Sequence, residues 1–242
     1  MRRFAENDCS DPNGGDPEGS PTYDAAPDFR PANDVMIIDP TTIPAQTMYR
    51  VLIGSVVPRP IAFVSTVSTG GVLNLAPFSF FNAFCADPPV VGFCPVWRNP
   101  AKDTITNVRA TREFVVNIVG EDIAEAMNVC SADFAPDVDE FQQAKLTPVP
   151  SLIVKPPRVK ESRINMECQL LQVIDFSEKP QGGSLVLGQI VRMHVDDELI
   201  DASYKIDADK LRAIGRMGGP EYTRTRERFA MIRPSSSDAS RT

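Results

Sequence analysis

Six short apolar runs, each bounded by turn signals or a short helical stretch, constrain this chain more than any other feature of its sequence. Residues 61–67, 72–81, 89–94, 114–119, 164–175 and 185–195 are rich in Val, Ile, Leu and Phe, which suit half-buried or buried strands. Only short helices fit between them, so the expected architecture is mainly β and closed into a barrel. A doubly wound sheet would need a long helix after nearly every strand. Ser68, Thr69, Gly70 and Gly71 separate the first two runs and read as a hairpin turn.

Helices are predicted at four places. Residues 44–53 begin with Pro44 near the first turn and end before Gly54; residues 100–111 have Asn99 as N-cap and Pro100 at the first helical position. Residues 121–132 carry Ile123, Met127 and Cys130 on one side, and residues 208–214 lie between Asp207 as cap and Gly215 as stop. The stretches 147–157 and 177–183 read as connections. Residues 1–33 are crowded with Asp, Pro, Gly, Ser and Asn, which bury too little apolar surface to offset chain entropy. They are expected to form a disordered or extended tail. Residues 234–242 have the same character, which leaves 34–233 as a single domain.

The net charge of −7 and a pI near 4.9 argue against a sequence-independent grip on nucleic acid, which needs a clustered positive surface. No run approaches about 18 apolar residues, and no apolar stretch follows Arg2 and Arg3, so the sequence predicts neither a membrane span nor a secretory signal. A cytoplasmic location is expected. Cys9, Cys85, Cys94, Cys130 and Cys168 are odd in number and widely spaced, and read as reduced thiols. With one histidine, His194, and no CxxC, no metal site is expected. The phosphate-binding motifs GxGxxG and GxxxxGK[ST] and the nucleophile motif GxSxG are also absent.

Two segments carry recognisable chemistry. Phosphate monoesters are held by backbone N–H groups, hydroxyls and a cation, preferably at a helix N-terminus. Residues 98–104 supply these with Arg98, Lys102, Asp103 and Thr104, and Arg59, Ser65 and Thr66 lie in or beside the preceding strand. Taken alone, Lys102 reads as a solvated charge in a first turn. Residues 74–82, Asn-Leu-Ala-Pro-Phe-Ser-Phe-Phe-Asn, alternate imperfectly and contain Pro77, so they suit an irregular edge whose backbone groups stay free for a ligand. Phe78 and Phe81 read as core. The segment from Gly215 to Tyr222 is a glycine-rich loop that adds Arg216.

In these same segments the chain resembles the flavin-reductase-like FMN-binding proteins of the split-barrel fold, which include flavoredoxins and the reductase components of two-component monooxygenases. The resemblance runs from about residue 47 to 222. It implies a six-stranded Greek-key split β-barrel with peripheral short helices, binding FMN noncovalently in a homodimer. It places the Lys102-Asp103-Thr104 triplet against the FMN phosphate, with Asp103 orienting Lys102 or a backbone donor. Ala76, Pro77, Ser79, Phe80 and Asn82 then fall along the flavin, and Arg216 and Tyr222 at its wall. The implied activity is NAD(P)H-dependent flavin reduction, the nicotinamide docking transiently and the electrons passing to a monooxygenase or redox protein. The alternatives are a flavoredoxin-like electron carrier and a barrel that binds without chemistry. His194 reads as structural, since hydride transfer to flavin N5 needs positioning more than a proton donor.

Overall fold

The structure is a computed structural model and describes residues 35–233. The tails expected at 1–33 and 234–242, and Cys9, lie outside the described residues. Among the described residues a compact unit runs from Pro40 to Arg233; residues 35–39, of the other unit, are exposed and form no helix or strand.

The chain opens with α1 (Ala45–Ser55), then β1 (Ala62–Val67), β2 (Leu73–Phe78), β3 (Phe81–Ala86) and β4 (Pro89–Phe93). After α2 (Asp103–Thr111) and β5 (Glu113–Ile118), a 3₁₀ turn at Glu121–Ile123 runs into α3 (Ala124–Val129), followed by α4 (Glu140–Gln143). Two short strands pair here: β6 (Pro148–Val149), inside the stretch 147–157 expected to be only a connection, and β7 (Arg158–Val159), just beyond it. The long hairpin of β8 (Ile164–Ser177) and β9 (Gly183–Val195) leads to α5 (Ala208–Leu211) and a last hairpin, β10 (Ile214–Arg216) with β11 (Tyr222–Arg224).

The main sheet is antiparallel with seven strands in the order β2-β1-β5-β8-β9-β4-β3. Here the expected second strand, 72–81, divides. β2 and β3 form opposite edges of the sheet, yet only Ser79 and Phe80 separate them in the chain. Laid flat, seven strands would put those edges roughly 29 Å apart, whereas three Cα steps reach roughly 11 Å. The sheet is therefore forced to curl until its edges nearly meet. Pro77, paired with Phe63, is accommodated because β2 has a neighbour on one side only.

Two apolar clusters flank β1. Ala62 and Val64 face the barrel interior with Phe78, Phe93, Phe114, Val116 and Val186, while Ile61 and Phe63 face Met127, Phe141 and Ile214 outside the barrel wall. Both faces of β1 are buried, which explains why successive residues from Ile61 to Val64 are all apolar and why the buried Ser65 and Thr66 that follow are hydrogen-bonded. Phe93 bridges Phe78 and Phe114 at ring-centroid distances of 4.9 and 5.4 Å. Phe78 is core as expected, and Phe81 packs against the same cluster.

All four predicted helices differ at a boundary: residues 121–132 divide into a 3₁₀ turn at Glu121–Ile123 and α3, which ends at Val129. α1 continues through Gly54 to Ser55. α2 starts at Asp103 with Lys102 in the N-cap position, beyond a cis Asn99–Pro100 bond, and its first-turn acid suits the helix dipole. α5 stops at Arg212, in the left-handed region with φ 50°, so Gly215 is free to enter β10.

Gly188 lies where Phe114 crosses β9: a Cβ there would sit 2.3 Å from the ring's Cζ. Phe114 is fully buried against Phe93 and has nowhere to retreat. Gly188→Ala is expected to lower stability by about 1–3 kcal/mol through overpacking, read as a lower urea midpoint at unchanged slope.

Candidate functional site: a cleft at the start of α2

At the N-terminus of α2, Arg98 and Lys102 converge. Both side chains are about two-thirds buried, and both reach the Asp133 carboxylate, Arg98 through Nη1 and Lys102 through Nζ at 3.4 Å. Lys102 therefore pairs with Asp133, which leaves the backbone donor as the other partner expected for Asp103. Arg98 Nε is buried with no hydrogen-bond partner, a donor the protein itself does not use. Burial opposes ionisation of Asp133, but Lys102 and Arg98 outweigh it and hold its carboxyl below the usual range.

Beneath these cations lies a chain of buried polar groups. Thr104 Oγ1 donates to Asn74 Oδ1 at 2.8 Å, and Thr66 Oγ1 donates to the same oxygen at 3.1 Å while accepting from Asn107 Nδ2 at 3.0 Å. Asn74 Nδ2 donates to Glu140 Oε1 at 2.9 Å, and the Leu75 amide donates to Glu140 Oε2 at 3.0 Å. Burial pushes the Glu140 carboxyl up, and those two hydrogen bonds partly counter it.

Three expected phosphate ligands are thereby corrected. The Thr66 and Thr104 hydroxyls are spent on Asn74 and form the floor of the cleft. Ser65, one residue along β1 from Thr66, faces the other way and is fully buried; its hydroxyl donates to the Pro157 carbonyl at 2.5 Å. Thr104 still lines a small cavity of about 70 Å³ together with Asn74, Ala76, Pro77, Lys102 and Asp133.

Pro77 and Ser131 also line a neighbouring cavity of about 420 Å³, walled by Tyr49 and Ile53 of α1, Ser79, Met127, Arg216 and Tyr222. Arg59 borders it, but its guanidinium is not free. Nη1 donates to the Ile53 and Val56 carbonyls at 2.6 and 2.8 Å, Nη2 to the Met217 carbonyl at 2.9 Å, and Nε to Ser79 Oγ at 3.4 Å. The expected phosphate cation is thus a staple, satisfying the C-terminal carbonyls of α1 and tying them to the loop after β10. Phe80 lies against it, its ring 5.8 Å from the guanidinium and 6.3 Å from the Tyr49 ring.

Arg216 and Tyr222, expected at a flavin wall, both line the larger cavity and pair across β10–β11: the guanidinium lies 4.4 Å from the ring centroid, and Nη2 donates to the Gly219 carbonyl at 2.6 Å. Asn82 is exposed on β3, its side chain accepting from the Ala83 amide, and it lines neither cavity. Tyr49, Asn74, Met127, Asp133 and Glu140 were not anticipated. A tyrosine in an amphipathic helix or an acid in a loop carries no motif, so nothing in their local sequence marks them.

His194 lines neither cavity. Its Nε2 lies 2.6 Å from Glu167 Oε1, and Glu167, fully buried, also accepts from the amides of Leu152, Ile153 and Val154. This carboxylate holds the 152–154 loop to β8, and His194 completes its shell. The four described cysteines are free, and burial, with Glu140 and Asp139 nearby, pushes the Cys130 thiol up to about 12. Among the described residues no group of three or more His, Cys, Asp or Glu is placed to hold a metal, and no helix is long and apolar enough to cross a membrane.

The fold is a split barrel. Residues 53–215 match the model of the flavin reductase like domain, well over half of the 242 residues, and the chain belongs to that family. An uncharacterized protein of Aquifex aeolicus (strain VF5) is 41% identical over 180 residues, 74% of this chain and 90% of that protein. Among solved structures, nitrilotriacetate monooxygenase component B from Bacillus cereus matches with a TM-score of 0.79 at 36% identity, covering 83% of this chain and 100% of that one. The Pseudomonas fluorescens 2-nitrobenzoate 2-nitroreductase NbaA matches with a TM-score of 0.75 at 35% identity, over 83% and 98%.

Two outcomes are expected. Glu121, at the start of the turn before α3, accepts from Arg226 at 2.5 and 2.7 Å, from Arg212 at 3.1 Å and from Arg224 at 3.2 Å, so it clamps the β10–β11 hairpin that walls the larger cavity. The Arg226 hydrogen bonds, then Arg212, lower its pKa to about 2. A folded-state pKa below the unfolded value adds stability above about pH 4.3 that is lost as pH falls through the folded value. The stability gap between wild type and Glu121→Gln, measured by denaturant melts, should be full at pH 6 and vanish near the folded-state pKa of about 2. His194→Gln, by contrast, is expected to leave flavin binding and turnover within a few fold, where a lost general acid or base is worth about 10²–10⁴ in rate.

Proposed function

We propose that this chain is an FMN-binding oxidoreductase that uses NAD(P)H to reduce a noncovalently held flavin. The observation that carries the reading is the convergence of Arg98 and Lys102 at the N-terminus of α2, with an unused Arg98 Nε–H, beside a cavity walled by Tyr49, Arg216 and Tyr222. Cations at the end of a dipole fit a phosphate monoester. A cavity of about 420 Å³ next to them, lined by Tyr49, Pro77, Met127 and Tyr222, fits the ring that the phosphate would anchor.

When bound, the flavin supplies a ring nitrogen, N5, able to accept hydride. The chain supplies position and charge. Lys102 and Arg98 neutralise the phosphate, Asp103 settles the amides of the first turn of α2, and Thr104 fixes Asn74 beneath it. Ala76, Pro77, Ser79 and Phe80 border the ring through the irregular passage out of β2, whose backbone is partly free. Arg216, held over Tyr222, offers positive charge to the ring's polar edge, where negative charge gathers on reduction. The nicotinamide docks transiently on the open side, since no dinucleotide motif holds it.

A homodimer with the flavin near its interface is part of this reading. It is supported by α1, which has no buried residue, and by the edge strand β3, where Phe84 is 55% exposed. A cytoplasmic location accompanies it, with an oxygenase or redox protein as acceptor; the likeness to a protein described as a monooxygenase component supports the former. The likeness to a nitroreductase favours a second reading, in which electrons pass in place to a small organic acceptor. NADH oxidation dependent on free FMN distinguishes the first reading; oxidation that instead requires a nitroaromatic acid distinguishes the second.

Lys102→Ala is expected to weaken FMN binding by about 1.5–3 kcal/mol, the worth of a charge-assisted hydrogen bond. That is roughly a tenfold to hundredfold rise in Kd by fluorescence titration. Riboflavin, which has no phosphate, should bind both proteins equally. Unchanged FMN affinity would remove Lys102 from the site.

A further inference from the structure

The two cations assigned to the phosphate already hold an anion that belongs to the chain. Asp133 comes from the loop between α3 and α4, and one of its carboxylate oxygens lies against both Arg98 Nη1 and Lys102 Nζ. Its side chain is 71% exposed whereas those of Arg98 and Lys102 are 32% and 29% exposed, so the carboxylate covers the cations from the solvent side. It also lines the 70 Å³ cavity, together with the neighbouring Phe134.

The loop has little else to hold it there. Among the described residues, no backbone amide from 133 to 137 donates a hydrogen bond; the next to do so is Val138, within the loop, to the Ala135 carbonyl at 3.0 Å. Glu140 and Phe141 beyond it are buried, and the Ser131 amide before it is bonded to Asn128 at 3.1 Å, so both ends are fixed while the middle is held through Asp133. A segment anchored at its ends and tied at its centre by one solvent-facing carboxylate, paired with two cations, can leave without disturbing the barrel.

We propose that Asp133 is an intramolecular competitor for the phosphate of the ligand, holding Arg98 and Lys102 until the phosphate displaces it. This rests on the reading of the cleft as a flavin phosphate site. Two anions cannot share two partly buried cations without repulsion, so binding of the phosphate and release of Asp133 are one exchange. The carboxylate spares Arg98 and Lys102 their mutual repulsion while no ligand is present. It also lowers affinity by the fraction of chains in which the cations are taken. The consequence is a flavin that exchanges with the free pool, as a substrate does, instead of remaining as a resident group. That distinguishes a reductase that releases its product from a carrier that keeps its flavin.

Asp133→Asn retains the shape and removes the charge. It is expected to bind FMN about tenfold more tightly than wild type, mostly through slower dissociation in stopped-flow chase against excess riboflavin. Riboflavin affinity, measured separately, should not change, because no phosphate competes. Asp133→Ser is measured in parallel and should tighten FMN in the same direction. FMN binding to both variants that equals or falls below wild type would overturn the proposal, since Asp133 would then orient the cations instead of blocking them. Lys102→Ala separates the two levels: if it weakens FMN while the Asp133 variants fail to tighten it, the competitor is rejected and the flavin site stands. If Lys102→Ala leaves FMN unaffected, the site itself is rejected and the competitor with it.

Discussion

Chain continuity through Ser79 and Phe80 is the constraint on which the rest of this structure depends. It joins the two edges of a seven-stranded sheet through two residues, so the sheet has to close. Closure creates an interior that Phe78, Phe93 and Phe114 fill, and it concentrates irregular backbone at the seam. The cleft lies along that seam. Ala76, Pro77 and Ser79 border it because β2 is an edge with no second neighbour to take up its backbone groups, and α2, α3 and α4 all pack against β2.

A buried polar chain gives one end of the cleft its rigidity. Asn74 joins β2 to α2 through Thr104, to β1 through Thr66, and to α4 through Glu140. Every member has a partner, so the chain fixes the start of α2 relative to the barrel without leaving an unsatisfied group. Oxygen atoms that would otherwise be candidate ligands serve instead to aim Lys102 and Arg98. The site's positive charge is therefore mounted on a rigid base while its negative cover, Asp133, is mounted on a loop.

Much of the fold was legible in the sequence, and the reasons are local. The 61–67 run is apolar on both faces because it separates two cores, and the Ser68–Gly71 turn needed a residue at positive φ, which Gly71 supplies at 86°. The division of 72–81 was not legible, because Phe78, Phe80 and Phe81 carry the apolar character across the break with only Ser79 among them. The start of α2 was misplaced because Asn99 and Pro100 carry the local signals of a cap, whereas the helix begins at Asp103 with Lys102 at the N-cap. Within the cleft, Lys102, Arg216 and Tyr222 were singled out through the family resemblance, and by residue type alone Lys102 read as a solvated charge and 215–222 as a loop. Arg59 was found for the wrong reason, since nothing local reveals that its acceptors are carbonyls of residues 53, 56 and 217. Asp133 was missed because its partners are 35 and 31 residues away in the chain.

The two ends of the cleft are held by different physics, and that difference matters for chemistry that depends on position. At the cationic end, a network of neutral and charged hydrogen bonds fixes α2 from three sides. At the open end, the wall is assembled from α1, the turn before α3 and the β10–β11 hairpin, joined by two arginine-centred ties: Arg59 to the carbonyls of α1 and Met217, and Glu121 to Arg212, Arg224 and Arg226. Arg59 is buried and makes four hydrogen bonds, so the end of α1 and the loop after β10 move only together. A planar ligand anchored by a phosphate at the rigid end would then meet a wall that shifts as one body. Such a wall sets the distance between two stacked rings through its spacing alone, which is the kind of control that direct hydride transfer requires and that needs no acid or base among the lining residues.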